Sequence, residues 1–453
     1  MSTCRSHLRY GIGVNSSSIL YSLNMAARGE SGIPSETKQV AALLVEVGFD
    51  VDFILVPSSH SLAYKNKKFD IFSQAQLVSD FLNVKHRKGP VQKIRQAMRE
   101  LTSSKRLKLM QLNSITAASL VDYLSISKTA NLKSESKYFS TKRDLASIYG
   151  RSAIGFRNVI DTSGYPLYIQ QHIDPIHVSQ GTKQIIRLHD VLPLTHPAYF
   201  KFDAIETYGI GLRTLINQKN ITFVTDTNSQ AEVIKRLFGQ ELDVRVIGCP
   251  LRNDPSPLDA SKTKRIRNQF LVVNTLEPRK QTRLIVESFE FLVRTHRLPK
   301  ESKLIIVGKH GWLQETLVHE LANSAFGKNV KWYESVTEMK LSELYYQSEF
   351  VISASMAEGF GLPPLEGAVR GAIPVVSNIP SHVENLGCGA IYFDPTRIDS
   401  LLNAFQEAYS MNPRKKRSII ESNRKALVRF SREQIGEDWK ELIYEFVNLK
   451  SNL

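Results

Sequence analysis

Short apolar, β-branched runs alternate with helix-length stretches throughout the second half of the sequence. The strand-like runs are QFLVVNT, KLIIVG, NVKWYE, FVISAS, IPVVSN and AIYFD, with segments such as RLIVESFEFLVRTH between them. This alternation predicts βαβ units and therefore a parallel, doubly wound sheet. A looser series of the same kind precedes it and comprises VDFILV, PLYIQQH, KQIIRLHD, ITFVTD and VRVIG.

The length of 453 residues exceeds what one hydrophobic core usually supports, so we expect two domains. We predict an N-terminal Rossmann-like domain over residues 1–250 and a linker over 251–268, which is rich in Pro, Asp and Lys. A second Rossmann-like domain would span 269–430, and a helix over 431–453 would pack back across the domain junction. The carboxyl ends of the strands of both domains would then face a central cleft, where such sheets bind ligands.

The N-terminal segment departs from this pattern. Tyr10–Val14 resembles a glycine turn between a strand and a helix, built on Gly11 and Gly13, and the helix-like run SSSILYSLNMAA follows it. A doubly wound domain needs a strand before such a turn, yet the ten residues that precede Gly11 are not strand-like. Either the first strand is missing from this chain or the turn is wrongly assigned. We predict that the strand is missing.

Positive charge is concentrated in one part of the chain. The net charge is +15, and residues 51–150 alone hold 17 Lys and Arg against 7 Asp and Glu, mostly within 84–112. We treat about 57–150 as a basic insertion. A solvated helical surface, a contact with an anionic membrane and a nucleic-acid site all fit this charge. Nucleic acid is the least favoured, because the basic stretch has no interleaved aromatic residues for base stacking.

The cysteines and the hydropathy predict a cytoplasmic protein, at most peripheral to the cytoplasmic face of the membrane. Cys4, Cys249 and Cys388 are scattered and form no CxxC pair, which favours a reducing compartment and argues against a structural zinc site. No apolar run approaches the length of about 18 residues that a membrane span requires. The N-terminus also lacks the apolar segment of a signal peptide.

The stretch EGFGLPPLE places two carboxylates eight residues apart, with glycines and prolines between them. Glu358 follows the strand FVISAS, so it should lie on a loop at the carboxyl end of that strand. Proline favours the first helical turn, so a helix should begin at about Pro363 or Pro364 with Glu366 in its first turn. The helix end and the loop would form an anion site from the backbone N–H groups of Gly359, Phe360, Gly361 and Leu362.

Carboxylates beside an anion site are suited to a phosphorylated polyol. The N–H groups would bind phosphate, while Glu358 and Glu366 would each accept hydrogen bonds from hydroxyl groups. Alternatively, Glu366 caps the helix and Glu358 is merely solvated. A glycoside hydrolase also uses two carboxylates, but they flank the scissile bond at about 5–9.5 Å, whereas both of these come from one corner between a loop and a helix.

Further polar residues follow other predicted strands. Arg279 and Lys280 come after QFLVVNT, where they could neutralise a diphosphate. His189 and Asp190 end KQIIRLHD in the first domain and would face the cleft from its other side. Lys309 follows KLIIVG and could contact a nucleotide base.

Together these stretches resemble the family 4 retaining glycosyltransferases of GT-B architecture. The matching segments are VNTLEPRK, LIIVGKHGW, EGFGLPPLE, AIPVVSNIPSHVENLG and RLHDVLPLTHPAYF. The resemblance implies a nucleotide-diphosphate sugar donor such as GDP-mannose, a UDP-sugar or a dTDP-sugar. It also implies a lipid-linked or polysaccharide acceptor, retention of anomeric configuration, and a role in cell-envelope or exopolysaccharide synthesis.

The same resemblance implies roles for individual residues. Arg279 and Lys280 would bind the diphosphate, helped by the backbone of residues 359–362 and by Lys309. Glu358 would contact the sugar hydroxyls and Glu366 the ribose hydroxyls. The catalytic group would comprise Glu358, His189 and Asp190, with His189 near the anomeric carbon. Gly11 and Gly13 would form a loop that approaches the acceptor or the donor phosphates. Neither a metal nor another cofactor is expected.

Two departures from the family pattern and two alternative functions remain. Asn274 replaces a common glycine before the EPRK turn, and Gln281 replaces a frequent asparagine after it. A missing first strand would favour a catalytically impaired protein that serves as a partner or scaffold. A nucleotide-sugar epimerase shares the architecture but lacks the EPRK signature.

Overall fold

The computed structural model describes residues 18–26, 33–56, 106–112, 136–141, 145–251 and 264–447. Gly11 and Gly13 lie outside these ranges, as do most of the predicted insertion over 57–150 and most of the basic stretch over 84–112. None of the described helices is both long and apolar enough to cross a membrane.

The first sheet of the described chain has eight strands in the order β3-β4-β2-β1-β5-β6-β7-β8. Strand β1 lies between β2 and β5 and pairs with both in parallel, whereas β3 and β4 are antiparallel. The strands are β1 (Ile19–Ser22), β2 (Val51–Leu55), β3 (Met110–Gln111), β4 (Tyr138–Ser140), β5 (Leu167–Gln170), β6 (Lys183–Arg187), β7 (Ile221–Thr225) and β8 (Val244–Val246). The described helices of this half are α1 (Ile33–Glu46), α2 (Leu145–Ala153), α3 (Leu192–Thr195), α4 (Phe202–Leu215) and α5 (Asn228–Phe238).

The helix predicted over residues 16–27 is wrong at its centre. Ile19–Ser22 is strand β1, and all four of its residues are buried. A run of four residues that is buried along its whole length has no clear period, so a buried strand cannot be distinguished from a buried helical segment by pattern alone. The first strand of the described residues therefore follows the Gly11–Gly13 segment in sequence, and the expectation of a missing strand loses its basis.

The second sheet of the described residues has six strands in the order β11-β10-β9-β12-β13-β14, and every pairing between them is parallel. All six strand-like runs of the second half are confirmed. The strands are β9 (Ile266–Val273), β10 (Lys303–Val307), β11 (Val330–Tyr333), β12 (Ser348–Ser353), β13 (Ile373–Ser377) and β14 (Ile391–Phe393). The helices are α6 (Thr282–Arg294), α7 (Glu315–Ala322), α8 (Glu338–Gln347), α9 (Leu362–Val369), α10 (Pro380–Leu386), α11 (Ile398–Ser410), α12 (Pro413–Ala426) and α13 (Arg432–Phe446).

The order of the second sheet reverses between β9 and β12. From β9 the chain proceeds to β10 and β11 on one side, and from β12 to β13 and β14 on the other. In open parallel sheets, ligands bind outside the carboxyl ends of the strands at such a switch point. The loops that follow β9 and β12 are therefore the expected ligand-binding loops.

Aromatic packing fixes the relative positions of these two strands. The rings of Phe270 on β9 and Phe350 on β12 are stacked with centroids 4.8 Å apart, and Phe405 on α11 meets Phe270 edge-on at 4.9 Å. All three side chains are fully buried. Well-packed aromatic cores are rigid, so they hold the carboxyl ends of both strands in register.

Contacts divide the chain into two compact units. Of the described residues, those up to Arg187 form one unit together with Ile210–Thr222 and those from Trp439 onward. The described residues of Leu188–Gly209 and Phe223–Asp438 form the other. In the first unit, the guanidinium of Arg187 lies 5.7 Å from the ring of the fully buried Trp439. The domain bounds given in the sequence analysis stay a prediction.

Candidate functional site

A backbone hydrogen bond links the loop after β9 to the loop after β12. The first forms a 3-10 turn over Pro278–Lys280 that ends at Gln281, whose φ of 49° is left-handed. The N–H of Met356 in the second loop donates to the carbonyl of Arg279 at 2.9 Å. This link fixes the two cationic side chains of the turn beside the second loop.

A cluster of charged side chains connects the two loops. Arg279 donates to Glu358 Oε2 at 2.8 Å and to Glu277 Oε1 at 2.6 Å. Lys280 Nζ contacts Glu358 Oε1, and the hydroxyl of Ser355 donates to the same oxygen at 2.6 Å. The side chains of Arg279, Lys280 and Glu358 are only 12%, 14% and 10% exposed. The structure therefore brings together three of the predicted site residues.

The charges in this cluster determine one another's protonation. Burial by itself raises the pKa of Glu358, but Arg279 and Lys280 outweigh it and hold that pKa well below its ordinary value. Burial lowers the pKa of Lys280, while Glu358 and Glu277 keep the pKa of Arg279 above its ordinary value despite burial. Glu358 is thus ionised, and with two cations and two carboxylates the formal charge of the cluster is balanced.

This pKa shift predicts a dependence of stability on pH. A carboxyl group with a lowered folded-state pKa stabilises the fold above its unfolded-state pKa, and that contribution is lost as the pH falls. We expect the free energy of unfolding to decrease below about pH 4.5, with Glu358 contributing up to about 1.4 kcal/mol per pH unit. Urea denaturation at pH 5 and pH 3.5 should show a smaller decrease for Glu358→Gln than for the unsubstituted protein. Equal decreases would contradict the pairing.

Gly359 brings a second predicted segment to this loop. A β-carbon at position 359 would lie 2.8 Å from the carbonyl oxygen of His189 and 3.1 Å from Cβ of Asp190, so the backbones approach as only glycine allows. Nδ1 of His189 lies 3.2 Å from Oδ2 of Asp226. With Nδ1–H donating to that carboxylate, the imidazole is held in one orientation.

Asp190 has a different environment from His189. Its Oδ1 accepts a hydrogen bond from the N–H of Leu192 at 2.9 Å, and its carbonyl accepts one from the hydroxyl of Tyr208 at 2.6 Å. Burial raises the pKa of the Asp190 carboxyl group above its ordinary value. Asp190 therefore holds the turn into α3 beside the loop after β12.

Glu366 lies further into its helix than predicted. Helix α9 begins at Leu362 after Gly361, whose φ is 84°, so Glu366 follows the first turn instead of belonging to it. No side chain caps this helix, and Glu358 is ion-paired, so the alternative of a capping Glu366 with a solvated Glu358 is wrong. Glu366 is buried and its Oε2 accepts a hydrogen bond from the hydroxyl of Tyr345 at 2.9 Å.

Lys309 is exposed in the turn that follows β10. Its carbonyl accepts a hydrogen bond from the N–H of Leu276 at 2.9 Å, which places this turn beside the segment that leads to Arg279. The backbone of Lys309 is thus close to the predicted site, with its side chain directed to solvent.

Several residues at the site were missed by the sequence analysis. Asp226 follows the predicted strand ITFVT, so its position at a strand end was a usable signal. Ser355 and Glu277 lie within motifs already recognised. His382 is 1% exposed, with Nδ1 3.0 Å from the carbonyl oxygen of Ser377 and its ring against Gly361. The one sequence feature that could have indicated His382 as a site residue is its position after the predicted strand IPVVS.

Comparison with known proteins gives a family match to the same part of the chain. Residues 259–426 match the family described as Glycosyl transferases group 1. The serotype-specific mannosyltransferase WbdA of Escherichia coli is 27% identical over 241 residues, which are 49% of this chain and 29% of WbdA. The GDP-mannose:cellobiosyl-diphosphopolyprenol alpha-mannosyltransferase of Xanthomonas campestris is 30% identical over 100 residues, 22% of this chain and 26% of that protein. The chain thus spans less than a third of the length of either relative.

Solved structures match nearly the whole chain. Sucrose-phosphate synthase from Thermosynechococcus elongatus has a TM-score of 0.61 and 12% sequence identity, and the match covers 95% of this chain and 98% of that one. At this identity the likeness shows the fold alone. With the largely parallel eight-stranded sheet and the parallel six-stranded sheet, it confirms the predicted GT-B architecture.

Proposed function

We propose that the protein transfers a mannosyl group from GDP-mannose with retention of anomeric configuration, because residues 259–426 match the family described as Glycosyl transferases group 1. The acceptor is a lipid-linked or growing polysaccharide of the cell envelope. The names of the two relatives support this choice, since both are mannosyltransferases and one specifies GDP-mannose and a diphosphopolyprenol-linked sugar.

One observation carries the proposal. Arg279 and Lys280 converge on Glu358 at the carboxyl ends of the two central strands of the second sheet. Two cations neutralise a diphosphate, and an ionised carboxylate accepts hydrogen bonds from sugar hydroxyls. As the sugar–phosphate bond breaks, negative charge develops on the departing diphosphate, and fixed cations stabilise it without reorganisation.

The remaining predicted residues take supporting roles in this proposal. His189, oriented by Asp226, lies near the anomeric carbon, and Asp190 maintains the turn that carries it. Glu366 binds the ribose hydroxyls, with its carboxylate oriented by Tyr345. Lys309 contributes to binding of the base. The protein acts at the cytoplasmic face of the membrane, where a lipid-linked acceptor is available.

A transfer assay tests this function. Purified protein is incubated with radiolabelled GDP-mannose and washed cell-envelope membranes, and label is counted in the lipid-linked and polymeric fractions. We expect incorporation from GDP-mannose that exceeds incorporation from UDP-glucose or dTDP-rhamnose. Incorporation from another donor alone would contradict the choice of GDP-mannose. If no nucleotide sugar is consumed and none raises the melting temperature, the protein is the impaired partner considered above.

A further inference from the structure

Four consecutive carbonyl groups in the loop between β12 and α9 each accept a hydrogen bond from a side chain outside that loop. Arg279 donates to Ala357 O, Gln230 Nε2 donates to Glu358 O at 3.3 Å, Thr227 Oγ1 donates to Gly359 O at 3.3 Å, and Asn385 Nδ2 donates to Phe360 O at 2.8 Å.

The planarity of the peptide bond gives this arrangement a consequence for the N–H groups. In each trans peptide the N–H of the next residue points opposite to the carbonyl. The N–H groups of Glu358, Gly359, Phe360 and Gly361 are therefore directed away from the side chains that hold the carbonyls. Within the described part of the chain, none of these four N–H groups donates a hydrogen bond to a protein acceptor.

Helix α9 by itself would be a poor anion site. Its second and third residues are Pro363 and Pro364, which have no N–H, so Leu362 is the one residue of the first three that offers a donor. An ordinary helix presents several free N–H groups at its start. The loop must therefore supply the donors that the prolines remove.

His382 adds an independent sign of a ligand beside this loop. It is 1% exposed, and its Nε2 has no hydrogen-bond partner. Nδ1 faces the carbonyl oxygen of Ser377 at 3.0 Å and carries the proton, which leaves a lone pair on Nε2. Nε2 would lie 3.0 Å from a β-carbon on Gly361. A buried acceptor next to unpaired N–H donors matches a ligand that has both hydroxyl groups and phosphate oxygens.

The elements that hold the carbonyls are themselves fixed to one another. Thr227 is the N-cap of α5, while Asn385 lies on α10. The carboxylate of Glu384, also on α10, accepts hydrogen bonds from the N–H groups of Asn228 at 2.7 Å and Ser229 at 2.8 Å. A carboxylate at a helix start satisfies free N–H groups and interacts favourably with the helix dipole. Helices α5 and α10 thus hold the loop as a single support.

We propose that Thr227, Gln230 and Asn385 are positioning residues, which turn the N–H groups of residues 358–361 toward the donor diphosphate. The inference rests on the proposed function for the identity of the ligand. A purely structural role would instead make the three side chains affect folding without a specific effect on anion binding.

Binding of inorganic pyrophosphate tests the proposal without requiring a sugar or a base. Asn385→Asp keeps the shape of the side chain but replaces the amide donor by a carboxylate, which repels the carbonyl of Phe360. Titration calorimetry should give at least tenfold weaker pyrophosphate binding. The matched control is Asn329→Asp, because Asn329 Nδ2 donates to the carbonyls of Lys300 and Ser302 at the opposite edge of the same sheet. The affinity of Asn329→Asp for pyrophosphate should stay within twofold of that of the unsubstituted protein.

A second pair of variants tests the proposal independently, in case Asn385→Asp does not fold. Thr227→Val removes the hydroxyl that donates to Gly359, whereas Thr227→Ser retains it. We expect weaker pyrophosphate binding in the first and recovered binding in the second, with circular dichroism unchanged in both.

Each outcome decides the question. Equal affinities in folded Asn385→Asp, Thr227→Val and the unsubstituted protein would overturn the proposal, and so would an unsubstituted protein that binds no pyrophosphate. If pyrophosphate binding depends on these residues but no GDP-mannose is consumed, the positioning role stands and the proposed function fails.

Discussion

Replacing Arg279 by Ala is expected to lower kcat/KM for GDP-mannose by about 100- to 1000-fold, which corresponds to about 2.7–4 kcal/mol. Its guanidinium is the bidentate cation of the site, held by Glu358 and Glu277 and directed along the loop after β12. Loss of this group removes charge-assisted hydrogen bonds from the departing diphosphate, where negative charge develops. Initial rates of GDP release at varied GDP-mannose concentration provide the measurement.

Arg283→Ala is the matched control for this prediction. Arg283 lies four residues further along, is 37% exposed and pairs with Glu287 and Glu320 on the surface. Exposed pairs contribute about 0–1 kcal/mol, so this variant should retain its kcat/KM. Arg279→Lys should recover only part of the activity, because an ammonium lacks the planar fork of a guanidinium. Equal kcat/KM values for Arg279→Ala and Arg283→Ala would contradict the proposal that Arg279 binds the diphosphate.

Replacing Glu358 by Ala is expected to lower stability and sugar transfer but to strengthen the binding of an anion. The substitution leaves Arg279 paired with Glu277, and it removes from Lys280 the carboxylate that its ammonium contacts. Both cations are mostly buried. Removal of one partner from a buried ion pair typically costs about 3–5 kcal/mol, so chemical denaturation should show a loss of this size. The net charge of the cluster rises by one, so pyrophosphate should bind more tightly to the variant. Transfer should fall, because the carboxylate that binds the sugar is gone.

Ligand and control measurements complete this test. Pyrophosphate at 100 times its dissociation constant should restore about 2.7 kcal/mol of stability to the Glu358→Ala variant by mass action. Glu287→Ala is the control, since Glu287 is 50% exposed and pairs with Arg283 at the surface, where the expected effect is about 0–1 kcal/mol. Weaker pyrophosphate binding in Glu358→Ala would show that Glu358 does not compete with an anion for the two cations.

The second sheet and its two ligand loops could be predicted because their signals are local. Strand runs such as FVISAS and QFLVVNT are bounded by Gly, Pro and charged residues, and parallel strands place their carboxyl ends at one edge of a sheet. These two signals were sufficient to predict that Arg279, Lys280 and Glu358 lie in one site. Strand β1 was not predicted, because the four residues ILYS are too few to show a period of hydrophobic residues. The burial of β1 also depends on its pairing with β2 and β5, which come later in the sequence.

The side chains that hold the loop could not be found from the sequence. Gln230 and Thr227 contact carbonyls more than 120 residues away, and such pairings depend on the folded chain. Polar residues of this kind are common at helix starts, so neither their type nor their spacing distinguishes them. Nor did the motifs indicate that Glu358 would be ion-paired by the same cations that were assigned to the diphosphate. That pairing depends on side-chain conformations within a buried cluster.

Amide hydrogen exchange with GDP-mannose tests the central claim most directly. The N–H groups of residues 358–361 have no protein acceptor in the described structure, so the oxygens of a bound diphosphate can accept hydrogen bonds from them. We predict that saturating GDP-mannose slows exchange in peptides that cover residues 274–282 and 355–366, and that Arg279→Ala abolishes this protection at the same donor concentration. Protection confined to other segments, or none in the unsubstituted protein, would contradict the assignment of the donor site.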